Sequence, residues 1–320
     1  MKLIEPSVEI LEQSSGLNGI YEQIEIAGRT CYKSEPTYSY FYTGKNPHDG
    51  GDITVQVSKE FDGEKAIEYA EKEYLNGNPS YSRKSISAKD FVDRMIASKH
   101  YAMLEHGTVY LLMPCTTQFS GSIPFYTENK YTNVVDCKIN DEYFYAITTN
   151  YRVLVEGENN PFTDVWKDLK ELQCEPTAYH EKRITSKFVC DRGVSHEIVR
   201  HRVFSFAQES TRYCNYSKDK FGNELTFIKP SILDNQKTYS FIEFYNILET
   251  IEKEYLLFLE EGWKPQEARA ILPNCLKTEI VMTGFESDYD HFFELRCAKV
   301  AHPDMQVLAN KLKELINEKK

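Results

Sequence analysis

The chain has 320 residues, of which 41% are hydrophobic and 27% charged, and carries a formal net charge of −11 at pH 7. That is the composition of a globular protein long enough to bury a sizeable core, and its acidic balance argues against broad nonspecific binding to nucleic acid. Any anion it holds must be held by a local cationic cluster working against the global sign. No apolar run approaches bilayer length, and Met1-Lys2-Leu3-Ile4-Glu5-Pro6 lacks a signal-peptide core, so the expectation is a cytoplasmic protein with no membrane partner. The eight cysteines are scattered without a Cys-x-x-Cys pair, which predicts free, mostly buried thiols and no zinc ribbon.

In chain order, residues 1–33 read as a strand followed by a helix. Residues 35–63, rich in Tyr, Gly, Asp and Pro, read as an ordered but irregular excursion. A helical pattern from Glu64 to Leu75 is ended by Asn76-Gly77-Asn78-Pro79, and another starts near Ser87 with Phe91, Val92, Met95 and Ile96 on one face. Thr108 to Met113 reads as a strand. Residues 115–160 carry β character, in runs such as Tyr143–Ile147 and Tyr151–Val155. A helix is expected around 162–173, a strand around Arg183–Val189, and an apolar-periodic helix after Asp191-Arg192-Gly193. Further helices are expected near 240–261, 265–271, 288–299 and 304–318. Without regular βαβ alternation the pattern is α+β: one domain over 1–320, an antiparallel twisted sheet flanked by helices, with insertions near 35–63 and 115–180.

The chemistry concentrates in Asp191–Tyr213. Arg200, His201 and Arg202 fall at the expected end of a helix and lead into Gln208, Glu209, Ser210 and Arg212. Consecutive helical residues point about 100° apart, so one face cannot hold all three, and at least one must turn toward the core or a cleft. The ordinary reading of Arg-His-Arg alone is a solvated basic helix end that favours the macrodipole. The polar run after it favours a site, because guanidinium forks read phosphate or a planar imide bidentately while Ser, Gln and Glu add orienting hydrogen bonds. Arg269 and Arg296 extend this cationic set, although a snorkelling arginine on an amphipathic helix is an equal reading of Arg296 taken alone. Ser287-Asp288-Tyr289-Asp290 reads as a capping-box variant that starts the helix carrying Arg296.

Arg200-His201-Arg202, seven residues, then Ser210 resembles the signature of the flavin-dependent thymidylate synthases. The resemblance extends to Cys190–Val199, Gln208–Tyr213, His100–His106, Ala268–Pro273, His291–Arg296 and His302–Met305, in the expected order. It implies that Arg200, His201, Arg202, Gln208 and His291 contact FAD. It implies that Glu197, Arg200, Gln208, Glu209, Ser210, Arg212, Arg269 and Arg296 bind dUMP, with Arg296 as the catalytic residue favouring ionisation at uracil N3. It further implies methylenetetrahydrofolate as methylene donor, NADPH as reductant of the flavin, Ser210 as ligand rather than nucleophile, and a homotetramer with shared active sites. Ala102 stands where the family usually has a hydroxyl residue, and Phe285 replaces a polar one. A catalytically weakened nucleotide- or nucleic-acid-binding regulator on the same fold is the alternative that these two departures leave open.

Other chemistries fit less well. His196 and His201 are five residues apart, whereas two zinc ligands on one helix face need four, so no metal is expected. There is no Gly-x-Gly-x-x-Gly, Walker loop or Gly-x-Ser-x-Gly. Cys190 and Cys214 are expected to be packing thiols, and His48 and His180 to be surface residues.

Overall fold

Strands β9 (Arg183–Asp191) and β12 (Lys277–Phe285) form the centre of the molecule, and their burial explains their composition. The computed structural model describes residues 1–46, 49–57, 76–115, 129–156, 172–235 and 238–319. The two strands pair antiparallel over nine residues. The sheet is completed by β10 (Ser205–Gln208) beyond β12 and by β2 (Ser7–Leu11) beyond β9. Phe188 and Cys190 of β9 and Ile280 and Met282 of β12 are fully buried. They pack against Val194 and Ile198 of a short helix (Arg192–Ile198), Phe292 of the helix Asp288–Arg296, and Met305, Leu308 and Leu312 of the C-terminal helix Pro303–Asn317. Each such side chain contributes roughly 1.5–3 kcal/mol when fully removed from water.

Gly284 shows how close this packing is. A Cβ there would fall 2.3 Å from Phe204 Cδ1, and Phe204 is itself buried just after the Arg-His-Arg segment. Gly284→Ala is therefore expected to lose about 1–3 kcal/mol by overpacking, read as a lowered urea midpoint with an unchanged slope.

A second layer lies on the sheet. Helix α1 (Gly16–Tyr32) and helix α2 (Ala88–Ala97) join a 3₁₀ turn at Tyr101–His106 and the sheet β6 (Thr108–Pro114), β8 (Glu142–Asn150), β7 (Asn133–Ile139). Ile20, Ile24, Phe91, Val92, Leu104, Leu111 and Ile147 form its core, as the spacing of the apolar residues in both helices requires. The two layers are stitched by buried polar groups. The Glu105 carboxylate accepts from Arg152 Nη1 (2.5 Å), Tyr131 Oη (3.2 Å) and Ser205 Oγ (2.5 Å), and His106 Nδ1 lies 2.8 Å from Thr283 Oγ1. A third cluster gathers Leu225, Phe227 and Leu276 against Leu248 and Tyr255 of the long helix Thr238–Glu260. There β11 (Thr226–Ile228) pairs parallel with β1 (Lys2–Ile4).

The architecture is α+β, as the sequence predicts, but the excursions differ from their expected form. Residues 35–63 contribute β3 (Tyr38–Lys45) and β4 (Asp52–Val57), which form an antiparallel sheet with β5 (Asn76–Ser85). Asn76–Pro79, read as a helix stop, is thus the start of a strand. The helix expected over Glu64–Leu75 lies outside the described residues, as does most of the one expected near 162–173. The 115–180 region supplies β7 and β8, and then a correction. Tyr151–Glu156 is helical despite its β-branched residues, because Asn150 Oδ1 accepts from Val153 N (3.1 Å) and caps a new first turn. His180 is buried rather than exposed, with Nε2 3.0 Å from Leu111 O and Nδ1 2.9 Å from Thr177 Oγ1. His48 lies outside the described residues. All eight cysteines are free, and Cys190 and Cys214 are fully buried. No helix among the described residues is long and apolar enough to cross a membrane.

Candidate functional site

Asp191 begins the site by capping the helix Arg192–Ile198: its carboxylate accepts from Val194 N at 2.7 Å. The helix closes at Val199, so Arg200, His201 and Arg202 sit in the turn beyond it rather than on its last turn. That turn sorts the three side chains. Arg200 and Arg202 are exposed, while His201 is buried and edge-on to Phe292, with ring centroids 4.9 Å apart.

His201 meets Arg296 from the end of the helix Asp288–Arg296. Arg296 Nε donates to His201 Nε2 (2.8 Å), Nη1 to Glu197 Oε2 (2.5 Å) and Nη2 to Glu197 O (3.0 Å). Of the five N–H donors of a guanidinium, three are engaged and two remain for a ligand. Because His201 Nε2 accepts, its proton resides on Nδ1. Burial, then the Arg296 charge, then His291 push the imidazole down to about 4. His291 is exposed, its ring centroid 6.4 Å from that of His201 and its Nδ1 3.3 Å from Glu294 Oε2. The helix begins differently from the expected capping box. Ser287 Oγ donates to Glu181, and Asp288 Oδ2 accepts from Phe285 N (3.1 Å).

The depressed pKa has a stability consequence. Below the ordinary value of 6.5 the unfolded chain binds a proton that folded His201 refuses. The contribution of this group is therefore complete above about pH 6.5 and falls as pH drops toward about 4. His106, pushed down to about 3 by burial and then by the Arg183 charge, acts with the same sign. The expected NMR result is that two imidazoles, absent from the spectra of His201→Asn and His106→Asn respectively, stay neutral above about pH 4.5.

The remaining expected residues lie along β10 and the turn after it, apart from Arg269, which begins the 3₁₀ turn Arg269–Ile271. Gln208 Nε2 donates to Ser195 Oγ (2.8 Å) and Thr278 Oγ1 (3.2 Å). Ser210 is tied by its N–H to Cys31 O (3.0 Å) at the end of α1, and its Oγ accepts from Arg212 N at 3.3 Å. Arg212 is exposed over the Tyr213 ring, and Tyr213 in turn packs on Tyr32. Arg269, also exposed, donates from Nη1 to Thr211 Oγ1 (3.2 Å). Among the described residues no hydrogen bond or ion pair links the Arg296 cluster to the Arg269–Thr211 contact.

Glu209 lies beneath the Ser210 turn. Only 2% exposed, its carboxylate accepts from Tyr216 Oη and Lys277 Nζ, both at 2.9 Å. Lys277 also bonds Glu279 (2.7 Å), which pairs with Lys33 and Lys187. Burial works against the Glu279 charge, yet Lys277 and Lys33 hold it at about 2. Burial likewise works against Lys277, yet Glu209 and Glu279 raise it above its usual range. Glu209 thus anchors the Ser210 turn from beneath. Sequence reading missed Lys33, Tyr216, Lys277 and Glu279, and the alternation Lys277-Thr278-Glu279-Ile280 was the signal for the strand that carries two of them.

The fold and site define an α+β protein whose signature turn gathers guanidinium groups beside a helix end. The family model described as thymidylate synthase complementing protein matches residues 176–319, which include every candidate residue from Glu197 to Arg296. The flavin-dependent thymidylate synthase of Geobacter sulfurreducens is 30% identical over 125 residues, 39% of this chain and 52% of that protein. That of Corynebacterium aurimucosum is 33% identical over 136 residues, 40% of this chain and 54% of that protein. A solved UMP/dUMP methylase of Streptomyces cacaoi, bound with 5-Br UMP, is 21% identical with a TM-score of 0.36, covering 42% of this chain and 68% of that one. Over residues 176–319 the chain is similar to the flavin-dependent thymidylate synthases. It spans about half the length of the curated relatives it matches.

Proposed function

We propose that this protein is a thymidylate synthase that methylates dUMP to dTMP with FAD, methylenetetrahydrofolate and NADPH. The observation that carries the reading is a guanidinium set free for anions. Arg200, Arg202, Arg212 and Arg269 are exposed, and among the described residues none pairs with a carboxylate, in a chain of net charge −11. Such unpaired forks suit the phosphate of a nucleotide and the pyrophosphate of FAD, so the donor set fits both groups.

In this reading Arg200, His201, Arg202, Gln208 and His291 hold the flavin. Glu197, Arg200, Gln208, Ser210, Arg212, Arg269 and Arg296 hold dUMP, and Glu209 supports them from the core. When bound, the flavin reduced by NADPH supplies the hydride that completes the methyl group. Neutral His201 offers Nδ1–H as a donor, and the two free N–H groups of Arg296 face negative charge developing on the uracil imide. Glu197 fixes the plane of that guanidinium. Ser210 Oγ already accepts from Arg212 N and serves as a ligand. The helix Thr238–Glu260 exposes Tyr239, Phe241, Ile242 and Ile247, a surface in keeping with assembly into a homotetramer with shared sites.

The test is tritium release from 5-tritiated dUMP with methylenetetrahydrofolate and NADPH, on protein purified with flavin absorbance. A colourless protein that takes up no added FAD and releases no tritium rejects the reading.

A further inference from the structure

A cavity of about 520 Å³ lies apart from the site just described. It opens to solvent and is lined by the loop Leu11–Gly16, the segment Gln173–Pro176, the start of β9 and the end of the C-terminal helix, and none of the arginines from Arg200 to Arg296 lines it. The volume falls within the roughly 300–1,000 Å³ of small-molecule sites.

Two independent features of its wall call for negative charge. The first is Arg183. Its Nη2 donates to Glu105 O (3.1 Å) and its Nη1 to Thr108 Oγ1 (3.5 Å), while its Nε is buried with no acceptor. The Phe285 ring lies 5.7 Å from the guanidinium carbon. Among the described residues no carboxylate reaches Arg183 within ion-pair distance, because Glu105 turns its carboxylate to Arg152, Tyr131 and Ser205. Burial pulls the half-buried Arg183 down to about 10, while Glu105 and Asp288 act against that shift from beyond ion-pair distance.

The second feature is the start of α1, a 17-residue helix. Ser15 stands at its N-cap with extended backbone, yet its hydroxyl makes no capping bond, and no acidic residue occupies the first turn. Ser14, Ser15 and Gly16 all line the cavity, so the open N–H groups and the positive end of the dipole face the same space as Arg183. Gln13 fixes this loop through paired bonds of 2.8 Å with the backbone N–H and carbonyl of Thr108. Three carboxylates also line the cavity. Glu12 is taken by Lys319, and Glu175 and Glu286 lie beyond ion-pair distance of Arg183.

We propose that this cavity binds a small organic oxyanion, its carboxylate or phosphate group held by Arg183 and the first turn of α1. The site is separate from the nucleotide site and does not depend on the proposed activity.

The experiment follows thermal unfolding of the full chain with inorganic phosphate and with succinate, each against sodium chloride at matched ionic strength. The parent and the Arg200→Ala/Arg202→Ala double variant are expected to show the same saturable rise in Tm with at least one probe, and the stronger probe identifies the preferred anion. Ser15→Asp supplies a resident carboxylate at an exposed position. It is expected to raise the unliganded Tm and weaken the apparent affinity by roughly tenfold. Arg183→Met is expected to abolish the response, and if it fails to fold, Ser15→Asp decides alone. No response beyond chloride, a response that Ser15→Asp leaves at full strength, or one that the Arg200→Ala/Arg202→Ala variant loses each overturns the proposal.

Discussion

Under the proposed function, Arg296→Ala is expected to lower dTMP formation by about 10²–10³-fold, the usual effect of removing one preorganised donor from a developing oxyanion. The size follows from what surrounds the guanidinium. Three of its N–H groups are already fixed by Glu197 and His201, so the remaining donors meet the substrate without reorganisation. Arg296→Lys is expected to recover little, since an ammonium cannot bond the Glu197 carboxylate and carbonyl and His201 Nε2 in one plane. A purely structural role predicts a different pattern. Activity would then track the fraction folded, and Arg296→Lys would restore both together. Measuring kcat, KM for dUMP and Tm on the same preparations separates the two, and a variant that turns over at the parental rate removes Arg296 from the chemistry.

Much of this site is legible in the sequence because its parts are local. Asp191 as a cap, the Arg-His-Arg turn and the Ser210 turn each fall within a short segment where residue type dictates conformation. Helices α1 and α2 are equally legible, since their buried residues recur at helical spacing. The rest depends on pairing over long separations. Tyr151–Glu156 carries strand-forming residues, and only the capping bond from Asn150 decides for helix. Residues 38–45 become a strand because partners at 52–57 and 76–85 satisfy both edges, and no local pattern announces a partner forty residues away. Glu209 is the clearest case. It stands between Gln208 and Ser210 in a polar run, and all three read alike. Yet Glu209 N donates to Glu279 O across to β12 (2.8 Å), and its carboxylate turns into the core toward Lys277, 68 residues on.

Lys277→Met is expected to destabilise the protein by about 3–5 kcal/mol, the cost of leaving a buried charge without its partner. Among the described residues the ammonium it removes is the one group hydrogen-bonded to both Glu209 and Glu279, whose side chains are 1% and 12% exposed. Lys33 cannot replace it for Glu209, from which it stands 3.8 Å away. The loss also has a pH signature. Glu279 is held at about 2 by Lys277 and Lys33 against its burial, so its contribution to stability is present above its ordinary pKa of 4.5 and disappears as pH falls toward 2. Removing Lys277 raises that folded-state value and shrinks the window, so variant and parent are expected to differ most near neutral pH and to converge in acid. Urea unfolding at pH 7 and pH 4 measures both. The double variant Glu209→Gln/Lys277→Met tests the pairing itself. If it is no more stable than Lys277→Met alone, the cost does not come from the stranded Glu209 carboxylate. If it recovers a large part of the loss, the lysine and glutamate beneath the Ser210 turn hold one another in place.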